Sequence, residues 1–187
     1  AWLTHVPVRI HTFTGLVWPT ATGMKRKLLM MTDWLTCACA THVIPEGQGV
    51  LNDLKDGGIT KKPRKVLGYG NVKGVDMERF SPARFVVTKN PDVFTFVFVG
   101  RIVSDKGINE LVEAFVKLHD KHKNARLVLV GNYEHNLDPV SDKTRQLIDT
   151  NDGIEACGAK YGDNLLQMYV DADCFVMPSN REGFPNT

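Results

Sequence analysis

Two rhythms run along this chain, short apolar runs and apolar stripes at helical spacing. Residues 8–13 form the first run and predict a buried strand. Met24, Leu28, Met31 and Leu35 then recur at i, i+4, i+7 and i+11, which predicts a helix over residues 23–35 with that stripe as its inner face. Residues 41–45 predict a short strand, 47–55 a helix, and 65–70 another strand running into the turn Gly68-Tyr69-Gly70-Asn71. The Gly- and Pro-bearing passage after it, Gly74-Val75-Asp76 to Phe80-Ser81-Pro82, is the predicted boundary between residues 1–80 and 81–187.

Beyond Val93 strand and helix alternate strictly. Residues 94–99 are continuously apolar, as in a parallel strand buried on both faces. Ile108, Leu111, Val112 and Phe115 mark one face of a helix, and residues 126–130 the next strand. Asp138-Pro139 reads as a cap with proline at the first helical position, followed by an inner face of Val140, Thr144, Leu147 and Ile148. Residues 154–157 predict a shorter strand. Asp163 caps a helix with Leu165, Met168, Tyr169 and Ala172 buried, and residues 174–177 close the series. Such repetition calls for an α/β fold with a parallel, doubly wound sheet and right-handed crossovers.

Composition narrows the class. A hydrophobic content of 43% supports a core, and a net charge of +2 argues against a nucleic-acid partner. The short basic run Lys61-Lys62-Pro63-Arg64-Lys65 lacks interleaved aromatics and reads as a solvated loop. The four cysteines, Cys37, Cys39, Cys157 and Cys174, form no metal-type C-x-x-C pair. Cys157 and Cys174 read as buried, reduced packing residues in a cytoplasmic protein. No apolar run reaches the ~18 residues needed to cross a bilayer. Lys25-Arg26-Lys27 beside the stripe of the first helix allows a peripheral contact with an anionic membrane. Simple coverage of a core is the commoner role of such a helix.

In an open parallel sheet, ligands bind beyond the carboxyl ends of the strands. Gly100-Arg101, Gly131-Asn132, Gly158 and Ser179 through Glu182 all fall at such ends. Glycines there let the backbone approach a ligand, and Arg101 and Lys106 bring positive charge to it. The bland alternative for either cation is an ordinary solvated loop residue.

Gly100-Arg101 with Lys106-Gly107, followed by Pro178-Ser179 and Glu182-Gly183-Phe184-Pro185, resembles the nucleotide-sugar site of the family 4 retaining glycosyltransferases. The resemblance spans most of the chain and is most specific over residues 94–186. It implies Rossmann-like parallel sheets of the GT-B architecture: the last part of an N-terminal domain in residues 1–80, and most of a donor-binding domain in 81–187. It implies transfer of a sugar from a nucleotide-sugar, with a UDP-sugar the expected donor, to a hydroxyl of a saccharide or lipid-linked acceptor, with retention. Surface polysaccharide or glycolipid synthesis is the implied setting, at the inner face of a membrane.

By the same resemblance Arg101 and Lys106 hold the donor diphosphate, with Gly100, Gly131 and Gly158 lining the site. Gly183, Phe184 and Pro185 open a helix whose amides face the diphosphate, and Glu182 contacts the donor sugar near the reacting carbon. His11, in Ile10-His11-Thr12-Phe13, lies in a segment resembling the one that faces sugar and acceptor; strand capping is its plainer role. Gly74-Val75-Asp76 with Phe80 is similar to the family's interdomain turn, with Lys73 where Asn is usual. Gly131-Asn132-Tyr133-Glu134 departs from the usual Gly-Asp-Gly-type loop. Asp171-Ala172-Asp173 could be a metal-binding D-x-D, but its position makes it a helix-to-strand junction. No metal site and no cofactor are expected, the nucleotide-sugar being the substrate.

The second Glu of the family's pair would fall beyond Thr187, and Ala1 opens directly ahead of a strand-like run. We therefore expect a longer natural protein, roughly double in length, and little transfer by these residues alone. Two alternatives are a nucleotide-sugar epimerase of the same architecture, whose acid/base residues the chain does not display, and a non-catalytic nucleotide-binding fragment.

Overall fold

Strand pairing joins residues far apart in sequence into two separate parallel sheets. The computed structural model describes every residue except Val72, Lys73, Leu137, Arg181, Gly183 and Asn186. The chain divides into two compact units, the first made of Ala1–Val75 with Glu182–Thr187 and the second of Asp76–Arg181.

In the first unit, β1 (Ile10–Phe13) pairs in parallel with β2 (His42–Pro45), Phe13 standing opposite Pro45. The crossover between them is α1 (Gly23–Cys39), and α2 (Gln48–Asp56) follows β2. Phe13, Leu16, Trp18, Val43, Val50, Leu54 and Ile59 form the core, with Cys37, Leu29 and Met30 of α1 packed on it. This corrects the expected inner face of α1. Met24, Leu28, Met31 and Leu35 are 55–79% exposed. Two apolar stripes run along this helix, offset by about one residue, or ~100° of rotation. The buried stripe is interrupted by Asp33, whose carboxyl is pushed up by burial, so the outward one reads as the stronger pattern.

The strand expected over residues 65–70 is not formed. A single parallel bridge links Arg64 to Val43, and the chain then turns through residues 68–70. Pro63 has no N–H to give a ladder, and Leu67 and Tyr69 point to solvent. The basic run before it is not a solvated loop either. Lys62 Nζ donates to the carbonyls of Cys37 (2.7 Å), Ala38 (2.8 Å) and Ala40, at the end of α1. A cation there satisfies orphaned carbonyls and meets the negative end of the helix dipole. Arg64 donates to the carbonyls of Thr60 and Lys62.

The second unit holds a four-stranded, wholly parallel sheet in the order β5-β4-β3-β6. Its strands are β3 (Phe94–Val99), β4 (Ala125–Val130), β5 (Ile154–Ala156) and β6 (Cys174–Phe175). Period-two alternation gives each strand two faces. Phe98, Leu127 and Leu129 face α3 (Ile108–His119) and α4 (Asp142–Thr150), through Ile108, Val112, Phe115 and Ile148. Val97, Val128 and Val130 form the other face, against Leu165, Met168 and Tyr169 of α5 (Gly162–Val170). β6 is shorter than the expected 174–177, pairing only Cys174 and Phe175 with Phe96 and Val97. Cys157 and Cys174 are half-buried rather than buried, and all four cysteines are free thiols.

Two caps differ from expectation. α4 begins after Ser141, whose hydroxyl accepts from the Thr144 amide at 3.1 Å, and not at Asp138-Pro139. Asp163 lies inside the first turn of α5, after Tyr161, and meets Arg84 at 3.9 Å. Both serine and aspartate favour helix starts; Asp138 is taken from that role by a longer-range one described below.

Candidate functional site

From β3 the chain winds outward to β4 and β5, and then returns to the opposite side of β3 as β6. The order therefore reverses between β3 and β6. At such a switch point the loops leaving the two strand ends diverge and open a crevice for a ligand. The loop after β3 carries Gly100, Arg101 and Lys106, and the segment after β6 carries Pro178, Ser179 and Asn180.

The structure brings these two segments together. The Asn180 amide donates to the Asp105 carbonyl at 3.0 Å. A Cβ on Gly107 would stand 2.2 Å from the Pro178 carbonyl oxygen, and its φ of +70° lies in the left-handed region. Only glycine fits that contact and conformation. Gly107 also precedes α3, whose first amides lack helical partners and carry the positive end of the dipole. Just before it, Ser104–Lys106 forms a short 3₁₀ turn.

That turn is fastened by Asp138. Its carbonyl accepts from the Ser104 amide (2.9 Å) and its carboxylate from the Asp105 amide (2.5 Å). It adopts φ +56°, which Asp tolerates better than most residues. Asn109 adds a second fastening, donating to Ser104 Oγ and accepting from the Ser141 amide and the Thr144 hydroxyl. Lys106 is thus carried on a turn held from two elements. Neither Asp138 nor Asn109 was read from the sequence as part of the site. Each acts across some thirty residues, where no local periodicity signals it.

Beyond the strand ends the backbone ladder continues. Gly100 N–H donates to Val130, Ile102 to Asn132 and Gly131 to Gly158, all at 2.9–3.0 Å. A Cβ on Gly131 would lie 1.8 Å from the Gly100 carbonyl oxygen. Gly100, Gly131 and Gly158 therefore lie along one edge in direct backbone contact. Arg101, 55% exposed at its side chain, is paired with Glu134 at 3.0 Å. Ser179 Oγ is buried and has no hydrogen-bond partner among the described residues. A buried hydroxyl left unpaired costs about 1–3 kcal/mol, so the Ser179 hydroxyl beside the Lys106 turn is a hydrogen-bonding group open to a polar partner.

The other expected site residues lie in the first unit. Glu182 is exposed, and Phe184 lies beside Gly70, whose added Cβ would come within 3.1 Å of the Phe184 ring. Pro185 is half-buried, and Gly183 and Lys73 fall outside the described residues. His11 is the second residue of β1, not its end, and its ring meets Phe13 edge-on at 4.4 Å.

Asp171 and Asp173 are committed to local structure. Asp171 accepts from the Thr88 amide and hydroxyl, both at 2.7 Å, and from Gln167 at 3.0 Å. Asp173 pairs with Lys89 and accepts from the Thr95 amide at 2.9 Å. Burial would raise the Asp171 carboxyl, but the bonds from Thr88 and Gln167 outweigh it and hold it below its ordinary value. Lys89 and the Thr95 amide lower Asp173 likewise. Both folded pKa values are depressed, so this stabilisation is complete above the ordinary carboxylate range and drains as pH falls through them. Urea midpoints should fall between about pH 5 and pH 2.5, and fall less in the double Asp171→Asn, Asp173→Asn variant. Equal falls would show that these bonds contribute nothing.

The family model described as "Glycosyl transferases group 1" matches residues 80–187. The capsular polysaccharide biosynthesis glycosyltransferase CapM of Staphylococcus aureus is 28% identical over all of this chain and 50% of its own length. The sulfoquinovosyl transferase SQD2 of Arabidopsis thaliana is 30% identical, over 96% of this chain and 32% of its own. This chain thus spans half the length of the first and about a third of the second. Among solved structures, Anabaena HepE in complex with UDP superposes with a TM-score of 0.71 at 16% identity, over 95% of this chain and 48% of that one. Sucrose-phosphate synthase from Thermosynechococcus elongatus gives 0.65 at 20%, over 95% and 46%. The fold is that of the GT-B glycosyltransferases.

Proposed function

The chain belongs to the glycosyl transferases of group 1, and from that premise we propose that the β3/β6 edge of the second unit binds the diphosphate of a nucleotide-sugar donor, a UDP-sugar. The observation that carries the reading is the joined pair of segments at the switch point, with Lys106 on a fastened turn and the buried Ser179 hydroxyl beside it. HepE, a protein of the same fold, was solved with UDP and with UDP-glucose. Departure of the sugar leaves negative charge on the diphosphate. Arg101, Lys106 and the N-terminus of α3 would stabilise that charge where it develops, which is how fixed cations and amides lower such barriers. Glu182 is the proposed contact to the donor sugar, opposing the positive charge that builds on its reacting carbon. Transfer to an acceptor hydroxyl with retention completes the reaction. Surface polysaccharide synthesis is the proposed setting, in keeping with the likeness to CapM.

Ser179→Ala separates a ligand role from a packing one. Deleting an unpaired buried hydroxyl should leave thermal stability unchanged or raised, while UDP affinity falls about 5–10-fold, the worth of one hydrogen bond. Calorimetry with UDP and a melting curve measure both. Unchanged affinity would remove Ser179 from the site.

The exposed stripe Met24, Leu28, Met31 and Leu35, with Trp34 beside it and Lys25-Arg26-Lys27 at its start, supports a peripheral membrane contact. Among the described residues no helix is long and apolar enough to cross a bilayer. The chain should co-sediment with phosphatidylglycerol vesicles, less so with salt or after Leu28→Glu, and not with phosphatidylcholine alone. Absence of sedimentation with the anionic vesicles would refute this contact.

A further inference from the structure

The loop after β4 runs along the carboxyl edge of the second unit and carries a carboxylate to it. Backbone pairing sets its course. The Ile102 amide donates to the Asn132 carbonyl at 2.9 Å, and Ile102 and Tyr133 form a parallel bridge. Ile102 is buried and Tyr133 packs on the same apolar cluster, with Arg145 of α4 over its ring at 4.9 Å. Side chains alternate along extended backbone. Arg101 and Glu134, which flank the bridged pair, are therefore turned together away from that cluster. Nη1 of Arg101 donates to Oε2 of Glu134 at 3.0 Å. The Asn132 side chain adds an anchor, its Oδ1 accepting from the Ala159 amide at 3.3 Å. Glu134 is thus placed at this edge by a fastened backbone, in the four residues where the chain departs from the usual Gly-Asp-Gly-type loop.

The pair does little for the fold. Its side chains are 55% and 32% exposed, and exposed ion pairs add little stability. The contact is a single Nη1–Oε2 bond, not the two parallel bonds of a bidentate pair. A guanidinium accepts carboxylate and phosphate oxygens alike, so Glu134 offers Arg101 the same kind of partner that a diphosphate would. Once a diphosphate is bound, the carboxylate remains beside it as a fixed negative charge. Repulsion by that charge grows with the charge of the ligand. In a nucleotide-sugar the terminal phosphate is esterified to the sugar. In the nucleoside diphosphate left after transfer it is free, with a further ionisation near pH 6, and so more negative at neutral pH. We propose that Glu134 is a specificity-determining residue of the donor site, weakening the released nucleoside diphosphate more than the nucleotide-sugar and so favouring departure of the product. The proposal rests on the reading of the β3/β6 edge as a diphosphate site.

UDP and UDP-glucose are titrated calorimetrically into this chain at neutral pH and low ionic strength. Glu134→Gln keeps the shape of the side chain and removes its charge. At ~6 Å in a water-like dielectric, one unit charge changes the interaction with another by about threefold in affinity. Both ligands should bind Glu134→Gln more tightly, and UDP should gain about threefold more than UDP-glucose. Added salt should shrink that difference. Glu134→Asp keeps the charge and should keep the wild-type ratio of the two affinities, with melting curves as the control for the fold. An unchanged ratio in Glu134→Gln, or an equal shift in Glu134→Asp, would overturn the proposal. Weaker binding of both ligands in Glu134→Gln would overturn it too, making Glu134 a support for Arg101. Binding of both ligands with an unchanged ratio sinks this proposal alone, whereas a wild-type chain that bound neither would sink the donor-site reading with it.

Discussion

Replacing both Arg101 and Lys106 with Ala should abolish measurable UDP binding. Hydrogen bonds to charged groups contribute about 1.5–3 kcal/mol each, so each substitution costs about 10–100-fold in affinity. Arg101 is more than half exposed and shares its guanidinium with Glu134, so solvent and salt screen it, and its share of the affinity should shrink as salt is raised. Calorimetry with UDP measures both, with Lys123→Ala, on the exposed turn after α3, as the control expected to do nothing. Equal affinity in the double variant would move the diphosphate elsewhere.

Glu182→Gln should lower kcat by about 10²-fold or more, the usual cost of losing a charge aimed at the transition state, in the enzyme that carries this chain. Glu182 is an exposed residue, so the fold and much of the UDP affinity should survive, with a melting curve as the control for the fold. A loss confined to KM would mean that Glu182 binds ground and transition states alike. Wild-type kcat would make it an ordinary surface residue.

Much of the second unit was legible because its strands are apolar runs with little competing pattern. β3 and β4 differ from expectation by at most one residue, and the loops they feed carry Gly100, Arg101 and Lys106. The first unit was harder to read. α1 bears two apolar stripes, and only Trp18, Phe13 and Val43 decide which is buried. The residues over 65–70 have enough apolar character for a strand, but Pro63 and the turn at Gly68 leave one bridge. Lys62 reads as solvent-facing because nothing local in the sequence says that the end of α1 lies over it. The site divides in the same way. Its cations announce themselves by type and position, whereas Asp138, Asn109 and Ser179 act through contacts that exist only once the strands are assembled.

The most direct test of the central claim is to locate UDP on the folded chain by mapping amide shifts during titration. Binding at the switch point would shift the amides of Arg101, Ser104–Gly107, Ile108 and Ser179, and leave the opposite edge of the sheet, at Thr95 and Arg126, unmoved. Shifts centred on that opposite edge, or none at saturating UDP, would contradict a donor site at the β3/β6 switch point.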